Sequence, residues 1–166
     1  MQLSPSIFKA YDIRGIIDET LEPSIAKLIG QAFGTEMREL GETEIVIGRD
    51  GRLSGPSLIE ALTEGLLSTG INVIDLGMVA TPMVYFGANQ VINGKKPKSG
   101  IMITGSHNPP NYNGFKMVLG GAAIYGEQIQ ALRKRIETKK FVVGQGNRST
   151  FDIFPCLLYT SPSPRD

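Results

Sequence analysis

The sequence has no tryptophan, a single cysteine (Cys156), a single histidine (His107) and no long apolar run. Each scarcity excludes something. One cysteine cannot form an internal disulfide, and no zinc site can be built from thiolates. One histidine means that a mechanism needing two imidazoles must take the second from outside the chain. No apolar stretch reaches the ~20 residues of a membrane span, and the N-terminus lacks the basic-then-apolar layout of a signal peptide. Lys and Arg number 17 and Asp and Glu 16, a formal net charge of +1, with no basic run standing apart from acids. The concentrated cationic face required by nucleic acid or an anionic membrane is therefore missing. The expectation is a cytoplasmic protein that engages neither.

What is present fits one soluble α/β domain. The chain has 166 residues, 41% hydrophobic and 20% charged, enough for one core and too few for two comfortable ones. Glycine (20) and proline (10) punctuate it at regular intervals. Apolar residues at Ile25, Leu28, Ile29, Ala32, Phe33, Met37 and Leu40 have helical spacing, with Pro23 in the first turn and Gly41 at the exit. A second helix follows Ser54-Gly55-Pro56, with Leu58, Ile59, Leu62 and Leu66 on one face. Thr81-Pro82 reads as an N-cap and first turn of a third helix that fades near Asn93, and Ile129, Leu132 and Ile136 mark a last one beginning at Glu127. Between them Ile45–Ile47, Ile71–Leu76 and Gly100–Ile103 read as strands.

Strand and helix alternating through short connections predict a three-layer, mostly parallel sheet between helices. Phe115–Leu119 and Ala122–Tyr125 read as a hairpin at one side, making the sheet mixed. Ser6–Gly15 reads as a short strand, with Tyr11, Asp12 and Arg14 crowded into a turn closed by Gly15. Open α/β sheets bind ligands at the carboxyl ends of their strands. Arg49-Asp50-Gly51-Arg52 and Gly105-Ser106-His107-Asn108 both follow strands directly, so the same rim should carry both.

The second of these loops is dense in chemistry. From Ile101 to Lys116 the chain reads Ile-Met-Ile-Thr-Gly-Ser-His-Asn-Pro-Pro-Asn-Tyr-Asn-Gly-Phe-Lys. Gly105, Pro109, Pro110 and Gly114 keep its centre out of helix or strand. The pattern is not the Gly-x-Ser-x-Gly elbow of a hydrolase, nor a phosphate-binding Gly-x-x-x-x-Gly-Lys-Ser/Thr loop. Adjacent side chains in an extended loop point apart, so His107 is expected to be badly placed as a base for Ser106. Ser106 with Lys116, Arg14 and backbone donors nearby suits a phosphoryl group, whose transfer depends on positioning and charge neutralisation. The residues alone leave open both a phosphate-handling serine and an ordinary polar turn.

Thr104-Gly105-Ser106-His107-Asn108-Pro109 followed by Asn113-Gly114-Phe115-Lys116 resembles the phosphoserine loop of the α-D-phosphohexomutases, most closely the bacterial phosphomannomutase/phosphoglucomutase branch. Phe8-Lys9-Ala10-Tyr11-Asp12-Ile13-Arg14-Gly15 and Gly48-Arg49-Asp50-Gly51-Arg52 match the other signatures of that branch's first domain, in order. The resemblance covers Ser6 to Pro155. It implies that residues 1–155 are the phosphoserine domain (domain I) and that Ser106 carries the phosphoryl group. In that scheme hexose 1-phosphate and 6-phosphate of glucose or mannose interconvert through a hexose 1,6-bisphosphate. It further implies Mg²⁺, with a phosphate oxygen on Ser106 as one metal ligand. Lys116 and Arg14 would stabilise the transferring charge and contact substrate. His107 would act catalytically, Asn108 would contact substrate or phosphate, and Tyr11 would line the sugar pocket. Arg49 to Arg52 would be structural, an ion pair beneath the rim. The aspartate-rich metal loop, the sugar-specificity loop and the C-terminal phosphate site belong to three further domains of the same chain in that family. This stretch alone is thus expected to be inactive. A non-catalytic sugar-phosphate module with the same fold is the alternative.

Residues 156–166, Cys-Leu-Leu-Tyr-Thr-Ser-Pro-Ser-Pro-Arg-Asp, look like a translated DNA sequencing adapter. They are expected to hold no regular structure, because Pro162 and Pro164 forbid it.

Overall fold

Two strands each end at a polar or glycine turn and are followed by a helix, and a third strand leads into a polar loop. In the computed structural model, which describes residues 3–160, these are β2 (Glu44–Arg49), α2 (Gly55–Leu67), β3 (Asn72–Met78), α3 (Thr81–Asn89) and β4 (Ser99–Ile103). Before them come β1 (Ile13–Ile16) and α1 (Pro23–Glu39). After them come β5 (Tyr112–Leu119), β6 (Ala122–Ala123), α4 (Glu127–Thr138), β7 (Arg148–Thr150) and α5 (Phe154–Thr160). The strands form one sheet in the order β1-β5-β4-β2-β3-β7, with β6 added to β5. β4, β2, β3 and β7 run parallel, and β5 is antiparallel to both of its neighbours. The expected mixed three-layer α/β architecture is the one observed.

Side chains alternate between two cores. Ile13, Ile45, Ile47, Ile101, Ile103, Phe115 and Met117 point to one face, where they meet Phe33 and Met37 of α1, Leu62 and Leu66 of α2, and Leu132 of α4. Val46, Ile74 and Met102 point to the other, where they meet Met83, Val84 and Ala88 of α3 and Ile153. The two faces are covered unequally. α3 lies over β2 and β4, and neither β1 nor β5 contributes to that second core. The face of β1 and β5 opposite α1, α2 and α4 is left without a helix.

Several sequence expectations need correction. The hairpin expected of Phe115–Leu119 and Ala122–Tyr125 forms, but β5 is an interior strand between β1 and β4 rather than at one side, and β6 is only two residues long. The segment from Ser6 is a 3₁₀ turn (Pro5–Ile7) followed by a tight reversal, and the strand comes afterwards, so Arg14 is on β1 and not in a turn. Ala80, not Thr81, is the N-cap of α3, which ends at Asn89 because Ile92 and Lys95 pair in a tight reversal. β7 was not foreseen, since Arg148–Thr150 is polar and exposed throughout. It is held by parallel pairing to β3 and by Arg148, which bonds Asp75 (2.7 Å) and Glu60 (2.8 Å). Cys156 to Thr160, expected to be irregular, continue α5; Pro162 and Pro164 lie outside the described residues.

α1 and α2 approach closely because glycine faces backbone on both. A Cβ on Gly65 would lie 2.2 Å from the Lys27 carbonyl oxygen, and one on Gly30 2.4 Å from that of Leu62. Backbone cannot yield as a side chain does, so Gly65→Ala is expected to push the helices apart. The expected loss is about 1–3 kcal/mol in the unfolding free energy, the usual cost of overpacking, read from urea denaturation.

Candidate active site

Strand ends set the site. β2 and β4 are parallel neighbours, so the chain leaves both at the same edge, and the Asp50 N–H donates to the Ile103 carbonyl there (3.0 Å). The two loops expected on one rim are on one rim. Arg52 reaches from the first into the second and donates to four backbone carbonyls: Pro109 (2.6 Å), Asn108 (2.7 Å), Tyr112 (2.9 Å) and Ser106 (3.1 Å). Asp50 holds the other end: Oδ2 accepts from the Gly105 N–H (3.1 Å) and Oδ1 from the Arg52 N–H (3.0 Å). Its contact with the Arg52 Nε is longer, 3.6 Å. The pair expected as a simple ion pair is thus chiefly a clamp on the backbone of the serine loop. A loop without ladder partners needs such a device, because its carbonyls must be satisfied by something.

Gly105 is glycine for this reason. A Cβ there would sit 2.0 Å from the guanidinium carbon of Arg52. Asn113, fully buried at the foot of the loop, donates to Ser54 Oγ (2.9 Å) and accepts from the Gly114 N–H (2.9 Å). Asn108, expected to contact a ligand, spends its side-chain amide on the Gly105 carbonyl (2.9 Å).

Ser106 is held in a left-handed conformation, φ +51°. A non-glycine residue there costs about 1–3 kcal/mol and persists only where its surroundings enforce it. Here they do, through the Arg52 bond to its carbonyl and the Thr104 Oγ1 that accepts from its N–H (2.8 Å). The same twist corrects the expectation for His107. Because the backbone turns at Ser106, the adjacent side chains meet: Ser106 Oγ and His107 Nδ1 are 3.1 Å apart. Both residues are exposed, so an incoming ligand reaches them.

The cations lie on the uncovered sheet face. Phe115 and Met117 point into the α1–α2–α4 core, so Lys116 between them points the other way. Arg14 pairs with Gly114, two residues along β5 on that same face. Thr104 follows Ile103 and alternates to this side too, which ties Ser106 to the face that bears Arg14 and Lys116. Arg14 is oriented by Asp12, a carboxylate 8% exposed whose Oδ2 lies 2.5 Å from the Arg14 Nη2. The Arg14 Nε is buried and has no hydrogen-bond partner. Burial first, and the Asp12 carboxylate second, push the Tyr85 phenol on α3 above its ordinary value. Tyr11, at the tip of the reversal before β1, is 79% exposed.

The structure thus brings Arg14 and Lys116 onto one face and Ser106 and His107 together on its rim. A cleft of about 720 Å³ runs along the other side of the same loop: Asp50, Arg52, Asn108 and Pro110 line it with Ile17 and Leu53, and Ser106, Arg14 and Lys116 do not. The roles of Asp12 and Thr104 were missed. For Asp12 a signal existed, since it stands two residues before Arg14, where an acid and a base can pair. No three His, Cys, Asp or Glu side chains converge on a metal position among the described residues.

The site is thus a clamped serine loop at the rim of an α/β domain, with two cations on one sheet face. The family model for phosphoglucomutase/phosphomannomutase, alpha/beta/alpha domain I, matches residues 5–143, and the chain belongs to that family. It is 52% identical over 153 residues to a phosphomannomutase/phosphoglucomutase of Pseudomonas aeruginosa, covering 92% of this chain and 32% of that one. A phosphoglucomutase of Neisseria meningitidis is equally similar, 52% over 153 residues, with 91% and 32% covered. The crystal structure of a phosphoglucomutase/phosphomannomutase family protein from Burkholderia thailandensis superposes with a TM-score of 0.92 at 52% identity, covering 95% of this chain and 35% of that one. The chain spans about a third of the length of the curated relatives it matches, as their N-terminal domain.

The clamp is testable in this chain. Arg52→Ala leaves the carbonyls of residues 106, 108, 109 and 112 without their donor. Amide exchange from residue 105 to 112 is expected to accelerate at least tenfold while exchange in α1 and α2 stays near wild type, as hydrogen-exchange mass spectrometry would show.

Proposed function

We propose that the protein to which this domain belongs is a phosphohexomutase that interconverts hexose 1-phosphate and 6-phosphate, of glucose or mannose, through a phosphoserine at Ser106. The observation that carries this reading is the strained, clamped Ser106, tied through Thr104 to a sheet face that bears Arg14 and Lys116. Two fixed cations beside a serine offer what a phosphoryl group in transfer requires, charge stabilisation that needs no reorganisation.

In the proposed cycle the phosphoryl group passes from Ser106 Oγ to the free hydroxyl of a hexose monophosphate, giving the 1,6-bisphosphate: the Oγ–P bond breaks as the sugar O–P bond forms, and the hydroxyl proton ends on Ser106 Oγ. The sugar then turns in the site, because only one serine is available. The other phosphoryl group returns to Ser106: a new Oγ–P bond forms as the sugar O–P bond breaks, and the sugar oxygen takes up a proton. His107 Nδ1, 3.1 Å from Oγ, receives the serine proton in that second transfer. Arg14 and Lys116 hold the phosphate oxygens, and the ion pair with Asp12 fixes the orientation of the Arg14 guanidinium. Tyr11 meets the sugar ring, and Asn108 shapes the loop.

Mg²⁺ would supply further neutralisation at a phosphate oxygen on Ser106. The residues of this chain do not fit such an ion on their own, since they provide no converging carboxylates. The other ligands, like the groups that read the sugar hydroxyls, are assigned to domains beyond this one. The isolated chain is accordingly expected to show no mutase turnover in a coupled assay.

The decisive measurement uses the protein from the complete reading frame. After incubation with a hexose 1,6-bisphosphate and Mg²⁺, its intact mass is expected to rise by one phosphoryl group, and Ser106→Ala is expected to abolish the adduct. A wild-type protein that takes up no phosphoryl group would overturn the reading. In the same protein Asp12→Asn is expected to raise KM for glucose 1-phosphate about tenfold, the loss of one oriented charge-assisted bond, with a smaller effect on kcat.

A further inference from the structure

β6 is only two residues long, yet its register continues. Val118 pairs with Ala123 and Leu119 with Ala122, and the Ile124 N–H donates to the Met117 carbonyl (3.1 Å), one step further along the same ladder. Ile124 is buried in the same core as Met117. Tyr125, the next residue, follows the end of β6 and is turned out to solvent.

Immediately after Tyr125, the Gly126 N–H donates to the Ala10 carbonyl (2.7 Å). This joins the start of α4 to the reversal before β1, so that Tyr125 and Tyr11 flank one interchain-like bond between two turns. Both rings are displayed to solvent, Tyr11 at 79% and Tyr125 at 63% exposure. Gly126 makes the display possible. At φ +53°, ψ −117° it turns the chain sharply into α4 and leaves Tyr125 at the corner instead of packing it beneath the helix.

We infer that Tyr125 is a further ligand-contacting residue, forming with Tyr11 an aromatic wall for the pyranose ring whose phosphate is held by Lys116 and Arg14. This rests on the hexose-phosphate reading above. The chemistry fits the placement. A pyranose presents axial C–H groups on its faces and hydroxyls at its rim. A phenol offers an apolar ring to the first and a donor–acceptor to the second. A cation beside an exposed aromatic ring recognises a phosphate attached to such a ring better than it recognises inorganic phosphate, because only the sugar engages the ring. Tyr125 would therefore contribute to binding of the sugar and not to phosphoryl transfer itself.

The test compares variants of the protein from the complete reading frame. Tyr125→Ala is expected to raise KM for glucose 1-phosphate and mannose 1-phosphate about three- to tenfold, with kcat within about twofold of wild type. Tyr125→Phe is expected to keep most of the affinity. The melting temperature of both variants is expected to stay at the wild-type value, because the ring is exposed. The Ser106 phosphoryl adduct should still form in each. Wild-type KM in Tyr125→Ala, with the adduct and turnover intact, would remove Tyr125 from the site and leave the mutase reading standing. A lower melting temperature with an equal loss in Tyr125→Phe and Tyr125→Ala would mark the ring as structural and also overturn the inference. Absence of both adduct and turnover in the wild type would overturn the mutase reading and this one together.

Discussion

One guanidinium holds the site. Arg52 donates to the backbone carbonyls of four residues in a loop that has no ladder of its own, and Asp50 anchors the loop's first N–H. Every other property of the site follows from that constraint. Because the loop is pinned at Ser106, the serine can be kept at a φ that its side chain disfavours. Because it is kept there, Ser106 Oγ meets His107 Nδ1 instead of pointing away from it. A lysine could not replace this arginine: four acceptors spread around a plane need the fixed fork of a guanidinium, not a point charge.

The second constraint is the unequal covering of the sheet. α1, α2 and α4 bury one face completely, whereas α3 covers only the middle of the other. Cations on a covered face would suffer desolvation without compensation. On the open face Arg14 and Lys116 keep partial exposure. Asp12 pairs with one side of Arg14, and the Arg14 Nε is buried without a hydrogen-bond partner. Charge and opening therefore coincide at the β1–β5 surface.

Much of this was legible in the residues, for physical reasons. Helices α1, α2 and α4 announce themselves by apolar spacing, and the shared rim of the two loops follows from parallel strands, since each parallel strand must end at the same edge. Other features were not legible. Nothing in Phe115–Leu119 states that its second neighbour is β1, because hairpin pairing is local and the other edge of the strand is filled from a hundred residues away. The meeting of Ser106 and His107 depends on a left-handed serine, which composition does not announce as a glycine would. Arg148–Thr150 lacks alternation, and its pairing to β3 rests on the ion pairs of Arg148 with Asp75 and Glu60. Asp12 was within reach, through its spacing from Arg14.

The interior position of β5 has a mechanical consequence. The strand is bonded on both sides, begins where the serine loop ends and carries Lys116 four residues on. Loop and lysine are two points on one stiff beam, and their separation has almost no freedom to change. If a sugar bisphosphate exchanges its two ends against this wall, the wall contributes no stroke. The rotation has to be taken up as freedom of the ligand, or as motion of whatever closes over it from the other side.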